Sequence, residues 1–111
     1  MSGKVYEAIK LLSAAFRKKF DDYKGLYLFG AFLDGKDHED EDIEIVALFD
    51  AQDKSKREEI WPIVGKIETE LEVCIDLYPY TEDEFKKDED LYNEVIEDGV
   101  FYNPLGITKR M

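Results

Sequence analysis

Cysteine and histidine are almost missing from this sequence. Its 111 residues include one cysteine, Cys74, and one histidine, His38. A single cysteine cannot form a disulfide within the chain, and one cysteine with one histidine cannot supply the ligands of a structural zinc site. This usage is typical of proteins in a reducing compartment, and we therefore expect a cytoplasmic protein.

Long apolar runs are missing as well. The apolar runs end well short of the roughly 18 residues that a membrane-spanning helix requires, so no membrane association is expected. The first seven residues, Met-Ser-Gly-Lys-Val-Tyr-Glu, carry an acid and no continuous apolar stretch. That is not the pattern of a secretory signal peptide.

Positive charge is scarce. The chain has 15 lysines and arginines against 27 acidic residues, a formal net charge of -12 at pH 7. Such a surface repels phosphate backbones, so direct nucleic-acid binding is not expected. The excess acid lies in two segments, residues 34–44 and 82–98, and we interpret the second as the solvated face of a helix.

The apolar content is nevertheless sufficient for a folded core. Hydrophobic residues make up 44% of the chain, and its length is typical of one domain, which we assign to residues 1–111. Apolar spacing predicts, in order, a helix (4–21), two strands (26–32 and 42–49), a helix from the Ser55 cap, a strand (71–78), short helices from Thr81 to Gly99 and an edge strand (100–102). The predicted fold class is α/β (α+β), a small mixed sheet packed against helices.

Two residues disturb these patterns. Pro62 lies too deep in the second predicted helix if Ser55 is its cap, so that helix either kinks or begins near Trp61. Gly30 interrupts the first predicted strand, where a glycine usually marks a bend or a close backbone approach.

Three acidic residues share a predicted sheet face. Asp42 and Glu44 are two apart on one strand, and Asp76 lies on the next strand, each opposite to the apolar positions. If these strands are neighbours, the three carboxylates converge and repel one another unless a cation or a proton relieves them. Mg²⁺ prefers oxygen ligands of this kind.

The spacing of these residues resembles a known signature. Gly30-Ala31, ten intervening residues, Asp42-Ile43-Glu44 and the later Asp76 are similar to the Gly-Ser … Asp-x-Asp pattern of the DNA polymerase β-like nucleotidyltransferase superfamily. The likeness is greatest to its minimal, single-domain members, the MNT domains, and covers most of the chain up to Tyr102.

The resemblance implies a site and its ligands. Gly30 and Ala31 would lie under the phosphates of a nucleoside triphosphate, expected to be ATP, and Asp42, Glu44 and Asp76 would hold Mg²⁺ or Mn²⁺ and serve catalysis. The sequence departs from the family pattern in four ways, which predict a partly degraded active site. The family serine is Ala31, arginines often found after it are replaced by Phe32 and Asp34, and the second strand acid is Glu44. The connecting loop also carries acids that would repel a triphosphate unless Mg²⁺ screens them: Asp37, Glu39, Asp40 and Glu41.

Three functions follow from the resemblance and the charge. The first is Mg²⁺-dependent binding of a nucleoside triphosphate, with nucleotidyl transfer to a protein or small-molecule acceptor. The second is that of a catalytically inactive, antitoxin-like partner of a helical HEPN protein. The third is an acidic regulator that mimics nucleic acid. The apolar segment formed by Phe101, Tyr102, Pro104 and Leu105 is expected either to dock a second copy (a homodimer) or a helical partner, or to fold onto its own sheet.

The two rare residue types receive structural interpretations. His38 lies in an acidic loop, from Asp34 to Glu41, and is expected to be solvated. Cys74 alternates with acids on the third predicted strand and is expected to be a buried or half-buried thiol.

Overall fold

A computed structural model describes residues 3–34, 38 and 40–108 of the chain. The helices and strands are α1 (Gly3–Lys19), β1 (Tyr23–Phe29), β2 (Ile43–Phe49), α2 (Lys54–Leu71), β3 (Ile75–Tyr80), α3 (Glu82–Lys87), α4 (Glu89–Asp98) and β4 (Val100–Tyr102). No helix within the described ranges is long and apolar enough to cross a membrane.

The four strands form one mixed sheet. Their order is β3-β2-β1-β4, with β1 antiparallel to both β2 and β4 and with β2 parallel to β3. The parallel pair requires a crossover connection, which α2 supplies. The predicted mixed sheet packed against helices is confirmed.

The first face of the sheet is covered by α1 and α2. Their apolar stripes meet the alternate apolar residues of β1, β2 and β3 in the larger core of the molecule. Four aromatic rings fill the end of this core nearest the start of β1, with centroids 5.5 to 6.2 Å apart: Phe16, Phe20, Tyr23 and Phe49. Burial of these rings is a major source of stability.

The second face of the sheet is covered by α3 and α4. Phe85 and Val95 pack there against Phe29, Val46 and Leu48 in a smaller core. The predicted solvated helical face at residues 82–98 is therefore correct for one side of these helices only. Their other side closes the sheet.

Several predicted boundaries are wrong at α2. The cap is Asp53, not Ser55, because Oδ1 of Asp53 accepts the N–H of Lys56 at 2.8 Å. The helix then continues through Pro62 to Leu71, so β3 begins at Ile75 and not at residue 71. The capping box of the next helix is confirmed, with reciprocal hydrogen bonds between Thr81 and Glu84.

A lysine ties the loops at one end of the β1–β2 pair. Lys56 Nζ pairs with the carboxylate of Asp22 and donates to the carbonyl of Ala51 at 2.6 Å. The ammonium also lies 4.9 Å from the ring centroid of Phe49. Partial burial alone would raise the pKa of Asp22, but the hydrogen bonds from Lys56 and from the N–H of Ala51 outweigh it and lower the pKa.

The apolar segment after α4 folds largely onto its own chain. Tyr102 is buried, and the ring of Phe101 packs against Tyr27 with centroids 5.0 Å apart. Of the four residues predicted as a docking surface, Leu105 is the one that is prominently exposed, at 61%.

Candidate functional site

Two acidic side chains lie together at one end of the second sheet face. Glu44 on β2 and Asp76 on β3 are direct neighbours in the parallel register, and both are half-buried. They alternate with apolar residues that belong to the first-face core, so strand periodicity places them on the opposite face. The sequence predicted that these carboxylates converge if their strands are neighbours, and β2 and β3 are neighbours in the sheet.

Gly30 leaves room for Glu44. Phe29 pairs with Glu44 across the antiparallel ladder, and Gly30 follows with a φ of 85°. A Cβ added to Gly30 would lie 1.8 Å from Oε2 of Glu44, far inside van der Waals contact. The glycine thus permits both a left-handed backbone and the close approach of a carboxylate. The sequence predicted a bend or a close backbone approach at Gly30. In the structure, the group that lies close to Gly30 is the side chain of Glu44.

Glu44 lies in surroundings that disfavour its charge. Partial burial is the largest cause that raises the pKa of its carboxyl group, and the carboxylates of Glu94, Asp76, Asp42 and Glu41 raise the pKa further. Such repulsion is relieved by protonation or by a cation.

Glu94 belongs to these surroundings, although the sequence pattern did not indicate it. It lies on α4 beside Val95, which packs into the second-face core together with Leu91. The sequence does contain one indication of this position, the four-residue spacing of the apolar residues Leu91 and Val95. If these two residues form the buried side of α4, the helix lies over the sheet and Glu94 lies at the border of the acidic group.

Asp42 lies just before β2 and is exposed. The next residue, Ile43, donates its N–H to the carbonyl of Cys74 at 2.8 Å, which ties this point to the segment before β3. Within residues 3–34, 38 and 40–108, no three histidine, cysteine or acidic side chains are arranged as a ligand group for a metal ion. The residue types fit Mg²⁺, because Asp42, Glu44 and Asp76 all offer carboxylate oxygens. A metal site formed by these three residues stays a prediction.

Tyr78 holds the carboxylate of Asp76. Its hydroxyl donates to Oδ2 of Asp76 at 3.2 Å, from two residues further along the same face of β3. Burial first, and then the charge of Asp76, raise the pKa of the Tyr78 hydroxyl. The hydroxyl therefore stays protonated at neutral pH and remains a donor.

The segment after Gly30 is a 3₁₀ turn, not a continuation of the strand. β1 ends at Phe29, and Ala31–Asp34 form the turn, in which the N–H of Leu33 donates to the carbonyl of Gly30 at 3.3 Å. The predicted strand 26–32 is therefore shifted by three residues, because the left-handed conformation of Gly30 ends the ladder. Ala31, beside Gly30, brings no hydroxyl to the turn.

The acidic loop continues from this turn. Its predicted members Asp37 and Glu39 lie outside the described residues. Nε2 of His38 is 2.9 Å from Oδ1 of Asp34, and the imidazole meets the ring of Phe32 edge-on, with centroids 5.3 Å apart. The expected solvated His38 is therefore only partly correct, since the ring keeps 27% of its exposure and also has two partners, Asp34 and Phe32.

A cleft of about 700 Å³ lies between the start of α1, the 3₁₀ turn and the end of α2. Its lining includes Phe32, His38 and Cys74 but neither Glu44 nor Asp76, so it is separate from the predicted site. The prediction of a buried or half-buried thiol is wrong, because Cys74 precedes β3 and is exposed.

Comparison with known proteins identifies the family. A family model described as a nucleotidyltransferase domain matches residues 9–102. The chain belongs to the nucleotidyltransferase domain family. The predicted family is confirmed, while the roles assigned to Gly30, Asp42 and Asp76 stay predictions. No curated protein matches the chain significantly.

Solved structures share the fold of this nucleotidyltransferase domain. A chain from a toxin–antitoxin crystallised with AMP-PNP superposes with a TM-score of 0.61 and 24% identity, over 86% of this chain and 70% of that one. A chain from a mutant MntA–HpeT toxin–antitoxin gives 0.55 and 23%, over 79% and 66%. A Sulfolobus solfataricus protein assigned as a nucleotidyltransferase gives 0.57 and 15%, over 100% and 97%. At these identities the likeness establishes the fold.

Proposed function

We propose that this nucleotidyltransferase domain binds a nucleoside triphosphate, with ATP as the first candidate, together with Mg²⁺ or Mn²⁺. The observation that carries the proposal is the position of Glu44. Its carboxylate lies against the Gly30 turn and among other carboxylates, and these surroundings raise its pKa. A divalent cation would relieve this repulsion and would turn an acidic surface into one that accepts phosphate.

Each residue of the proposed site has a separate role. Asp42, Glu44 and Asp76 would hold the cation, which supplies neutralisation of phosphate charge when bound. Gly30 and Ala31 would lie beside the phosphates, where the missing side chain of glycine allows a close approach of the backbone. The hydrogen bond from Tyr78 would keep Asp76 in place.

Transfer of a nucleotidyl group to a protein or small-molecule acceptor is proposed as a slow activity of the same site. An acceptor hydroxyl would form a bond to the α-phosphorus, the bond to the bridging oxygen would break, and pyrophosphate would leave. One of the three carboxylates would take the hydroxyl proton. The 3₁₀ turn Ala31–Asp34 carries neither a hydroxyl nor a cationic side chain to stabilise the developing charge, and slow turnover is expected for this reason.

Calorimetry tests the binding proposal. ATP should bind in millimolar Mg²⁺ and should show no heat of binding in chelator. Glu44→Gln and Asp76→Asn should each weaken binding in Mg²⁺ by about tenfold or more, since each removes a cation ligand. Glu58→Gln, at an exposed position of α2, is the matched control and should bind as the parent does. Tight binding of ATP without metal would overturn the proposal.

A second candidate function is that of an antitoxin-like partner. The likeness in fold to chains of toxin–antitoxin structures supports it, as does the turn without hydroxyl or cation. The proposed partner is a helical HEPN protein. Co-expression with the product of the adjacent gene, followed by size-exclusion chromatography, tests this candidate. A complex that survives Asp76→Asn would favour binding without catalysis, and two separately eluting proteins would contradict it.

A further inference from the structure

The helices of this chain differ sharply in charge. Among the residues of α1 there are five basic side chains and one acidic side chain, Glu7. Among the residues of α4 there are five acidic side chains and no basic one. The basic residues of α1 are Lys4, Lys10, Arg17, Lys18 and Lys19. A molecule of net charge -12 therefore keeps a basic surface, and this surface needs an explanation.

Large apolar side chains are exposed on the basic side. The loop after β4 packs on α1, since a Cβ on Gly106 would lie 3.7 Å from Cα of Lys10, and Nη1 of Arg17 donates to the carbonyl of Pro104 at 2.7 Å. This packing leaves two apolar side chains of the loop exposed, Leu105 at 61% and Ile107 at 56%.

A tyrosine of α1 extends this surface. Tyr6 is 46% exposed, and Nζ of Lys10 lies 4.8 Å from the centroid of its ring. No described carboxylate forms an ion pair with Lys10. We call Tyr6, Lys10, Leu105 and Ile107 the basic patch.

A complementary surface lies on α4. Val95 faces the second-face core, while the following residue, Ile96, is 49% exposed. Asn93 and Glu89 precede Ile96 by one and two helical turns on the same side, and Glu97 follows it. We call Glu89, Asn93, Ile96 and Glu97 the acidic patch. It combines an exposed apolar side chain with negative charge, as the basic patch combines apolar side chains with positive charge.

The chain segments that carry the two patches flank the edge strand β4. α4 ends at Asp98, β4 follows as the edge strand, and the loop of the basic patch comes directly after Tyr102. The outer side of β4 is occupied by a bridge between Tyr102 and Thr108, and the N–H of Asn103 donates to the carbonyl of Ile107 at 2.9 Å. Addition of a further strand is therefore blocked at this edge, and association there must use side chains.

We propose that a second copy of this chain docks at the β4 edge about a two-fold axis. The basic patch of each copy then faces the acidic patch of the other, so the contact occurs twice and the assembly closes as a dimer. Apolar side chains lie at the centre of each contact and opposite charges surround them. Neither patch includes Gly30, Glu44 or Asp76, so this inference goes beyond the proposed function and does not depend on it.

Analytical ultracentrifugation of the full chain tests the dimer. At physiological ionic strength, the parent should pass from monomer to dimer over a roughly hundredfold range of concentration. Lys10→Glu and Glu97→Lys should each raise the dissociation constant by about tenfold or more, because each places like charges in both contacts. Lys66→Glu, at an exposed position of α2, is the control and should dimerise as the parent does.

Mixing the two charge-reversed variants gives the decisive result. In a pair made of a Lys10→Glu copy and a Glu97→Lys copy, one contact keeps the original lysine and glutamate. In the other contact the two charges are exchanged, so opposite charges still meet. The mixture should therefore form a heterodimer about as readily as the parent dimerises. Leu105→Glu should dissociate the dimer without any charge partner to restore it. A monomeric parent, or two variants that dimerise as the parent does, or a mixture that stays monomeric, would each overturn the inference. Lys10→Glu should still bind ATP in Mg²⁺, which separates this test from that of the proposed function.

Discussion

The two ends of the β1–β2 pair hold negative charge in opposite ways. At the end where Tyr23 pairs with Phe49, the nearby carboxylate of Asp22 receives hydrogen bonds from Nζ of Lys56 and from the N–H of Ala51, and its pKa is lowered. At the other end, Glu44 lies on β2 among carboxylates, and its pKa is raised. Within the described residues, no lysine or arginine forms an ion pair with Glu44.

This contrast separates a stabilising charge from a binding charge. A carboxylate that has a cationic partner in the fold contributes to the free energy of unfolding. A carboxylate surrounded by other carboxylates lowers that free energy until a ligand or a proton relieves the repulsion between them. The same pair of strands therefore has one end where a carboxylate is paired with a lysine and one end, the binding end, where we propose that a cation binds.

The largest expected effect is at the stabilising end. Phe49→Ala should lower the free energy of unfolding by about 3–5 kcal/mol, because it empties the centre of the aromatic group and removes the ring under Lys56. Urea unfolding followed by circular dichroism measures the change. Trp61→Ala is the control, because it also removes an aromatic ring but at a position that is 47% exposed. It should lower the free energy of unfolding by less than half as much as Phe49→Ala does. Equal losses would contradict the assignment of the core.

The next effect is at the binding end. Gly30→Ala should cost about 1–2 kcal/mol for the left-handed backbone alone, and more for displacement of Glu44. The double variant Gly30→Ala/Glu44→Ala should recover the stability lost by displacement of Glu44. It should not recover the stability lost because alanine is forced into a left-handed backbone. Gly65→Ala is the matched control, since a Cβ there meets nothing within 4 Å inside α2 and should stabilise the helix by about 0.5–1 kcal/mol. If the double variant recovers nothing, Glu44 does not lie against Gly30.

A smaller effect should depend on pH. Asp22→Asn should lower the free energy of unfolding by about 1 kcal/mol at neutral pH, the upper part of the range for ion pairs near a surface. Because the folded state lowers the pKa of Asp22, the contribution is present above the ordinary carboxyl pKa and is lost as the pH falls through the lowered value. Parent and variant should therefore begin to converge below about pH 4 and should coincide once the pH lies below the lowered pKa of Asp22. A gap that persists there would show a structural loss instead of a lost charge.

The smallest effect should have the opposite sign of pH dependence. Glu44→Gln in chelator should leave stability equal to or slightly above that of the parent, against the usual trend of point mutations. The folded state raises the pKa of Glu44 and so binds the proton more tightly than the unfolded state. The parent therefore loses stability relative to the variant as the pH rises from the ordinary carboxyl value through the raised one. Paired thermal unfolding curves measure this difference, and a parent that gains on the variant over that interval would contradict the model.

The sequence predicted the order of elements and the sheet face of Glu44 and Asp76, because strand alternation and helical spacing are local patterns. It did not predict the start of α2, since Asp53 and Ser55 are both acceptable caps and only packing selects one. Contact between Gly30 and Glu44 joins two strands, and the position of Glu94 depends on how α4 packs over the sheet. Such long-range placement is not encoded in any short window of sequence.

The parallel pairing of β2 and β3 has a consequence for folding kinetics. β1 and β2 are consecutive antiparallel strands, whereas β3 reaches β2 only after the 18 residues of α2 have crossed the sheet. Closure of the longer connection carries the larger entropic cost, so we expect Glu44 and Asp76 to meet after the main folding barrier has been passed. Repulsion between these acids then acts on the native state more than on the transition state. A cation bound between them would chiefly slow unfolding and would leave the rate of folding nearly unchanged.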